Sequence, residues 1–383
     1  MKKKRLLFFA NSLYGGGAEK VLQTLLINLD SYKYDITLYS VNEDVLNNKY
    51  PSNIKYKYIF KQHANNIISR LWAKITNKIK LIIYYNLSPV WFYRLFVRGE
   101  YDTEIAFIEG YSTRIISGST NKLSRKIAWI HTDLKNNHWT KISYRSLIEE
   151  VESYSKYDNI LCVSNNVKQS MTQLFPNLIE SLKVLYNPID DQHIRQQAKK
   201  TPSVKLAINS NSIKLVSTGR LVYEKGYDRL LTIIKRLIDE GANISLTILG
   251  EGGDRQQLEK YIISNNLTEY IFFPGFVDNP YSIMAQHDIF VCSSRAEGYS
   301  TAITEALILG LPIVTTDCSG MKELLGENNE YGIVTQNDDD ALYKGIKSII
   351  NRNEVFKLYK SKAIARGKDF SLSKQISEIE NNL

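Results

Sequence analysis

Short apolar runs alternate with stretches of helical period along the whole chain. In the first half RLLFFAN leads into GGGAEKVLQTLLINL, and YDITLYSV, TEIAFIEG, RKIAWIHT and NILCVSN follow. Uncharged runs of this length, bounded by turn formers and separated by segments of 3.6-residue period, are what a parallel sheet demands, because helices cover both of its faces. The second half repeats the pattern in IKLVSTGRL, ISLTILG, YIFFPGFV, DIFVCSS, PIVTTD and GIVTQ, with helices predicted over 227–239 and 301–309. Two doubly wound α/β domains are expected.

Between the halves NPIDDQHIRQQAKKTPSVKLAINSNSIKL is polar, lacks a clear period and contains Pro188 and Pro202, so a linker is expected near 188–212. The resulting division is a first domain over 1–190, a second over 191–365 and a helix over 366–383 that returns to the first domain. A length of 383 residues accommodates two or three cores. Hydrophobic and charged fractions of 43% and 23%, with 25 Tyr and 13 Phe, exclude disorder, collagen and coiled coil.

Three scattered cysteines, Cys162, Cys292 and Cys318, form no CxxC and no metal-ligand spacing, which suits a reducing, cytoplasmic setting. The apolar run Leu6 to Ala10 is too short for a signal peptide and enters a glycine loop, so it reads as a buried strand. The longest uncharged aromatic stretch, Leu81 to Tyr93, contains Pro89 and falls short of the roughly 20 residues a membrane span needs.

The net charge of +9 is unevenly placed: residues 51–100 hold nine basic residues against the single acid Glu100. Within 70–98, Arg70, Lys74, Lys78, Lys80 and Arg94 interleave with Leu71, Trp72, Ile75, Ile79, Ile82, Trp91 and Phe96. That composition suits a helix lying on an anionic bilayer surface, at about 1 kcal/mol for each basic residue near it. A solvated basic face over an aromatic core would look the same. Nucleic acid is disfavoured because no recognition motif accompanies the charge.

Four constellations could carry chemistry. In SSRAEGYSTAITEAL a strand ends in a loop with Glu297 and Gly298, a helix opens near Ser300 and Thr301, and Glu305 follows Glu297 by eight positions. Backbone N–H groups at such a helix start attract a phosphate, and a carboxylate one turn in can hold a neutral diol such as ribose. In STGRLVYEKGYD, Arg220 and Lys225 lie in one strand-to-helix loop and could clamp a diphosphate. Gly15, Gly16 and Gly17 follow the first strand, and His131 stands at a strand end in WIHTD. Taken singly, the two glutamates would be solvated helix-start acids, the two cations surface charges, and His131 a hydrogen-bonded core histidine.

Together GRLVYEKGYD, the Glu297 to Glu305 stretch, the GGGAE loop and the VSN to NPID run resemble the retaining glycosyltransferases of family 4, most strongly over 213–335. The resemblance implies a GT-B fold, two Rossmann-like domains facing across a cleft. It implies transfer of a sugar from a nucleotide-diphosphate donor, by family habit a UDP-sugar, without a metal or other cofactor. Arg220 and Lys225 match the diphosphate pair, Glu305 the ribose carboxylate and Glu297 the acid facing the donor sugar. Gly298, Tyr299, Ser300 and Thr301 match the backbone cradle, Gly16 and Gly17 the loop that closes over the diphosphate, and His131 the histidine near the reacting carbon. Retention in such enzymes is ascribed to same-face attack with no protein nucleophile. The acceptor is expected to be a lipid-linked saccharide at the inner membrane face, as in capsule, O-antigen or exopolysaccharide assembly. Base choice would rest on the 250–254 and 275–279 loops. A catalytically silent binding or scaffold subunit and a sugar-nucleotide epimerase of the same fold remain alternatives; a phosphorylase lacks its pyridoxal lysine context.

Overall fold

The computed structural model of the chain describes residues 2–13, 16–44, 50–60, 78–80, 82–204 and 211–383. Gly15 and the basic-aromatic positions Arg70, Leu71, Trp72, Lys74 and Ile75 lie outside the described residues. The chain divides into two compact units, Met1–Pro188 with Ile376–Leu383, and Ile189–Gln375.

The first unit is built on seven strands: β1 (Lys4–Ala10), β2 (Tyr34–Asn42), β3 (Lys55–Phe60), β4 (Thr103–Ala106), β5 (Arg125–Ile130), β6 (Asn159–Cys162) and β7 (Leu182–Val184). Their order is β3-β2-β1-β4-β5-β6-β7 with every pairing parallel. Strand β1 is central, and Leu6 to Ala10 are wholly buried because helices cover both faces. The helix Gly17–Asn28 crosses from β1 to β2 and buries Val21, Leu22, Leu25 and Leu26, one stripe of helical period.

The second unit repeats the plan with β8 (Ile213–Thr218), β9 (Ile244–Leu249), β10 (Ile271–Gly275), β11 (Ile289–Cys292), β12 (Ile313–Thr316) and β13 (Ile333–Thr335), ordered β10-β9-β8-β11-β12-β13 and all parallel. The pleat sends Leu215, Val291 and Val314 into one core and Val216, Phe290 and Ile313 into the other, so the sheet is buried on both sides. In each unit the winding reverses beside the first strand, between β1 and β4 and between β8 and β11. Ligands of open parallel sheets bind at the carboxyl ends of the strands at such reversals.

Two edge strands escape the apolar pattern. In β3, KYKYIF, Lys55 and Tyr58 are exposed, and β7 has only three residues, so neither rises above its polar surroundings. The expected linker 188–212 is also corrected, since Asp191–Ala198 is a helix of the second unit. Asp190 caps it by accepting from His193 N–H, and Ile194 is buried. Arg195 donates to the Ile308 and Gly367 carbonyls. One apolar contact and one arginine suffice where the neighbour supplies unpaired helix-end carbonyls. After the helix Asn353–Arg366, the helix Leu372–Glu380 buries Ile376 and Ile379. Within the first unit Glu380 pairs with Lys33 at 2.8 Å, and Leu383 O accepts from Lys4 Nζ and Thr103 Oγ1.

Candidate active site

The loops that end β8 and β11 lie side by side at the reversal point of the second sheet. The first, 219–226, packs directly on the loop after β9. Leu221 N–H donates to Glu251 O at 2.9 Å and Asp254 N–H to Leu221 O at 3.0 Å. Gly250 has φ of +148°, and a Cβ there would lie 1.9 Å from Gly219 O, so only glycine permits this approach. Arg220 is left exposed at the tip, and its guanidinium makes no hydrogen bond or ion pair among the described residues.

Lys225 and Glu297 meet directly. Gly226 is left-handed at φ +64° and its missing side chain admits Ser293 O, from which a Cβ would be 2.2 Å away. Ser293 Oγ in turn donates to Lys225 O at 2.9 Å. With the backbones so close, Lys225 Nζ reaches Glu297 Oε1 at 2.6 Å, and Ser294 Oγ donates to the same oxygen at 2.6 Å. Burial would push Lys225 down, but the charge and hydrogen bond of Glu297 outweigh it and hold the ammonium above its ordinary range. Lys225 is therefore charged at neutral pH, and the loops present a cation and an acceptor at one point.

The helix Thr301–Ile308 opens behind Glu297. Ser300 is its N-cap, accepting from Ile303 N–H, which leaves the first-turn amides pointing toward the 297–300 loop. Gly298 is buried and Tyr299 half-buried on the way in. Glu305 is the fifth helical residue, buried, with Tyr281 Oη donating to Oε1 at 3.3 Å. The tyrosine hydroxyl restrains the rotamer of the Glu305 side chain.

The remaining expected residues belong to the first unit. Gly16 is the extended N-cap of the helix Gly17–Asn28, which no side chain caps. His131 follows β5, stacked on Trp129, with Nε2 2.8 Å from Phe107 O. A carbonyl only accepts, so Nε2 carries the proton and Nδ1 keeps the lone pair. Burial lowers the pKa of this ring and keeps it neutral. His131 N–H donates to Glu109 Oε2 at 2.9 Å, and Ser112 Oγ to Asn11 Oδ1 at 2.8 Å. Glu109 and Asn11 follow β4 and β1 at the reversal of the first sheet, and Glu109 is 1% exposed. Glu109, Ser294 and Arg229 were missed in the sequence. An acid and a glycine directly after an apolar run, FIEG, was the available signal for Glu109; the other two are defined only by tertiary contact.

Residues 198–366 match the model of the family described as glycosyl transferases group 1. A Campylobacter jejuni N-acetylgalactosamine-N,N'-diacetylbacillosaminyl-diphospho-undecaprenol 4-alpha-N-acetylgalactosaminyltransferase is 29% identical over 369 residues, 96% of each chain. Among solved structures, Anabaena HepE in complex with UDP and glucose superposes with a TM-score of 0.74 at 17% identity over 99% of both chains. A point mutant of S. aureus TarM bound to Fondaparinux, alpha-GlcNAc-glycerol and UDP gives 0.72 at 12% identity, again over 99% of both. With two parallel-sheet units of GT-B type and a match to the glycosyl transferases group 1 model over 198–366, the chain is a glycosyltransferase.

Proposed function

We propose that the chain moves a sugar, with retention of anomeric configuration, from a UDP-sugar to a lipid-linked saccharide. The observation that carries this reading is the Lys225–Glu297 pair at 2.6 Å beside the exposed Arg220 and the buried Glu305. Arg220 and Lys225 neutralise the charge that grows on the departing diphosphate, the kind of preorganised stabilisation that dominates such transfers. Glu305 takes the ribose hydroxyls, and Glu297 accepts hydrogen bonds from the donor sugar once the diphosphate engages Lys225. The bond from the anomeric carbon to the phosphate oxygen breaks while the bond to the acceptor oxygen forms on the same face. The acceptor proton passes to the departing phosphate oxygen, so no protein nucleophile and no resident metal are required.

The lipid-linked acceptor is supported by the undecaprenol-linked substrate in the name of the Campylobacter relative and by one surface of the first unit. In the helix Pro89–Phe96, Phe92 and Tyr93 are buried while Val90, Trp91, Arg94 and Leu95 face outward, and Arg94 stacks on Trp91. No helix among the described residues is long and apolar enough to cross a membrane. A peripheral enzyme on the cytoplasmic face, held by this basic-aromatic surface, fits both facts. The test is calorimetry of UDP, GDP, ADP and their sugar conjugates without added metal, followed by NMR of the product's anomeric configuration. UDP-selective binding and a retained configuration are expected; selective binding of another nucleotide or inversion overturns the corresponding part. Turnover of the donor with no acceptor present, giving an epimer, would favour the epimerase.

A further inference from the structure

Arg229 is the third residue of the helix Tyr227–Asp239, and it is only 6% exposed. Its Nε donates to Ser293 O at 2.8 Å, and its Nη2 to Ser294 O at 2.7 Å and Asn337 Oδ1 at 2.8 Å. Asn337 completes the set by donating through Nδ2 to Arg295 O at 3.0 Å. Three consecutive carbonyls of the loop that carries Glu297 are therefore taken from behind. Ser294 O accepts further from Thr316 Oγ1 at 2.6 Å and Cys318 Sγ at 3.1 Å.

The same loop is tied to the segment that carries Lys225. Arg295 N–H donates to Glu224 O at 2.7 Å, and the Arg295 guanidinium closes on both oxygens of Asp228 at 2.7 Å. Asp228 and Arg229 are adjacent, so one helix start grips the Glu297 loop twice. A buried guanidinium is costly to desolvate, and its nearest carboxylate, the exposed Asp339, stands 3.9 Å away. Burial accordingly lowers its pKa, and its donors are spent on loop carbonyls rather than on a counter-charge.

We propose that Arg229 is a positioning residue for sugar transfer: by clamping the Ser293 and Ser294 carbonyls it sets the separation of Lys225 and Glu297. The inference rests on the role given to that pair above. Phosphate contact and sugar contact must be made at a fixed span for the anomeric carbon to sit in line, and the clamp fixes that span before any ligand arrives. Lysine in place of Arg229 keeps the charge but cannot reach three acceptors in a fork.

The experiment is a double-mutant cycle of Arg229→Lys with Lys225→Ala, reading kcat, nucleoside diphosphate affinity and thermal midpoint. Arg229→Lys is expected to lower kcat about 10- to 100-fold, the cost of roughly 1 Å of misplacement. In the Lys225→Ala background the same change should add less than about 3-fold, because there is no longer a pair to align. Equal losses in both backgrounds would mean that Arg229 only stabilises the unit, and unchanged kcat in Arg229→Lys would remove the inference outright. Asn337→Ala, which deletes one carbonyl contact and leaves the arginine in place, should show the same non-additivity at smaller amplitude and covers the case in which the Arg229 variant does not fold. Full turnover in Lys225→Ala alone would instead overturn the site on which the inference stands.

Discussion

Lys225 Nζ and Glu297 Oε1 stand 2.6 Å apart although 72 residues separate them, because their loops end the adjacent strands β8 and β11. In this state each neutralises the other. Under the proposed function a diphosphate entering the loop would compete with Glu297 for the ammonium and turn the carboxylate toward the sugar. Lys225→Ala should then lose about 100- to 1000-fold in turnover, the range for deleting one donor to a developing anion. Glu297→Gln removes the competitor, so it should bind UDP as tightly as the parent or up to about 5-fold more tightly while its transfer rate falls. Calorimetry beside a radiolabel transfer assay reads both; weaker UDP binding in Glu297→Gln would contradict the competition.

Glu305 accepts from Tyr281 Oη at 3.3 Å, and under the proposed function it takes the ribose hydroxyls. Removing a charged hydrogen-bond partner costs about 1.5–3 kcal/mol, so Glu305→Ala should weaken nucleoside diphosphate binding about 10- to 100-fold. The corresponding 2′-deoxynucleotide should bind the parent more weakly and the variant no worse than the ribonucleotide. Equal preference for ribose in both proteins would place the ribose elsewhere.

His131 is neutral in the folded protein because burial lowers its pKa, whereas the unfolded chain takes a proton near pH 6.5. A depressed folded value means that the stability contribution is present above pH 6.5 and is lost as pH falls through that value toward the folded one, at up to about 1.4 kcal/mol per pH unit. All four tryptophans, Trp72, Trp91, Trp129 and Trp139, precede residue 188, so tryptophan fluorescence follows the first unit. Urea midpoints read this way should fall between pH 7 and pH 5, and His131→Asn should flatten the decline. An identical slope in the variant would show that the ring titrates freely.

Gly226 combines a left-handed backbone with a 2.2 Å approach of a would-be Cβ to Ser293 O. Gly226→Ala should cost about 1–3 kcal/mol for the conformation alone, and more for the displaced carbonyl. A thermal midpoint within about 1 °C of the parent would mean that the loop relaxes without penalty. Turnover should drop with stability, because Lys225 precedes the strained residue.

On the first unit Trp91 and Leu95 are 55% and 52% exposed with Arg94 between them. The triple change Trp91→Ser, Arg94→Glu and Leu95→Ser should release the protein from liposomes containing anionic lipid while leaving UDP affinity unchanged. Retained flotation would leave this surface with no role in membrane contact.

Much of the architecture was legible because central parallel strands are buried on both faces and must be apolar runs, as RLLFFA and IVTT are. The edge strands β3 and β7 were not, since a strand with one covered side needs few apolar residues, and the helix Asp191–Ala198 shows only Ile194 as an inward signal. The candidate site stood out in the sequence where charged residues recur at short spacing around strand-to-helix loops, as in Glu297 to Glu305 and Arg220 to Lys225. Arg229, Ser294 and Glu109 act through contacts with backbone or with distant loops, and a buried arginine reads in sequence like any helix-surface cation. The ion pair of Lys225 with Glu297 joins two motifs that the sequence presents separately.

The second unit is an insertion within the first, because Ile376, Ile379 and Leu383 complete a core begun at Lys4. During synthesis the ribosome therefore releases the whole of the second unit before the first has its last piece, and the earlier-made half must wait, partly open, for the later one. Loss of the last eight residues would strike the half of the molecule farthest from them along the chain and spare the nearer one.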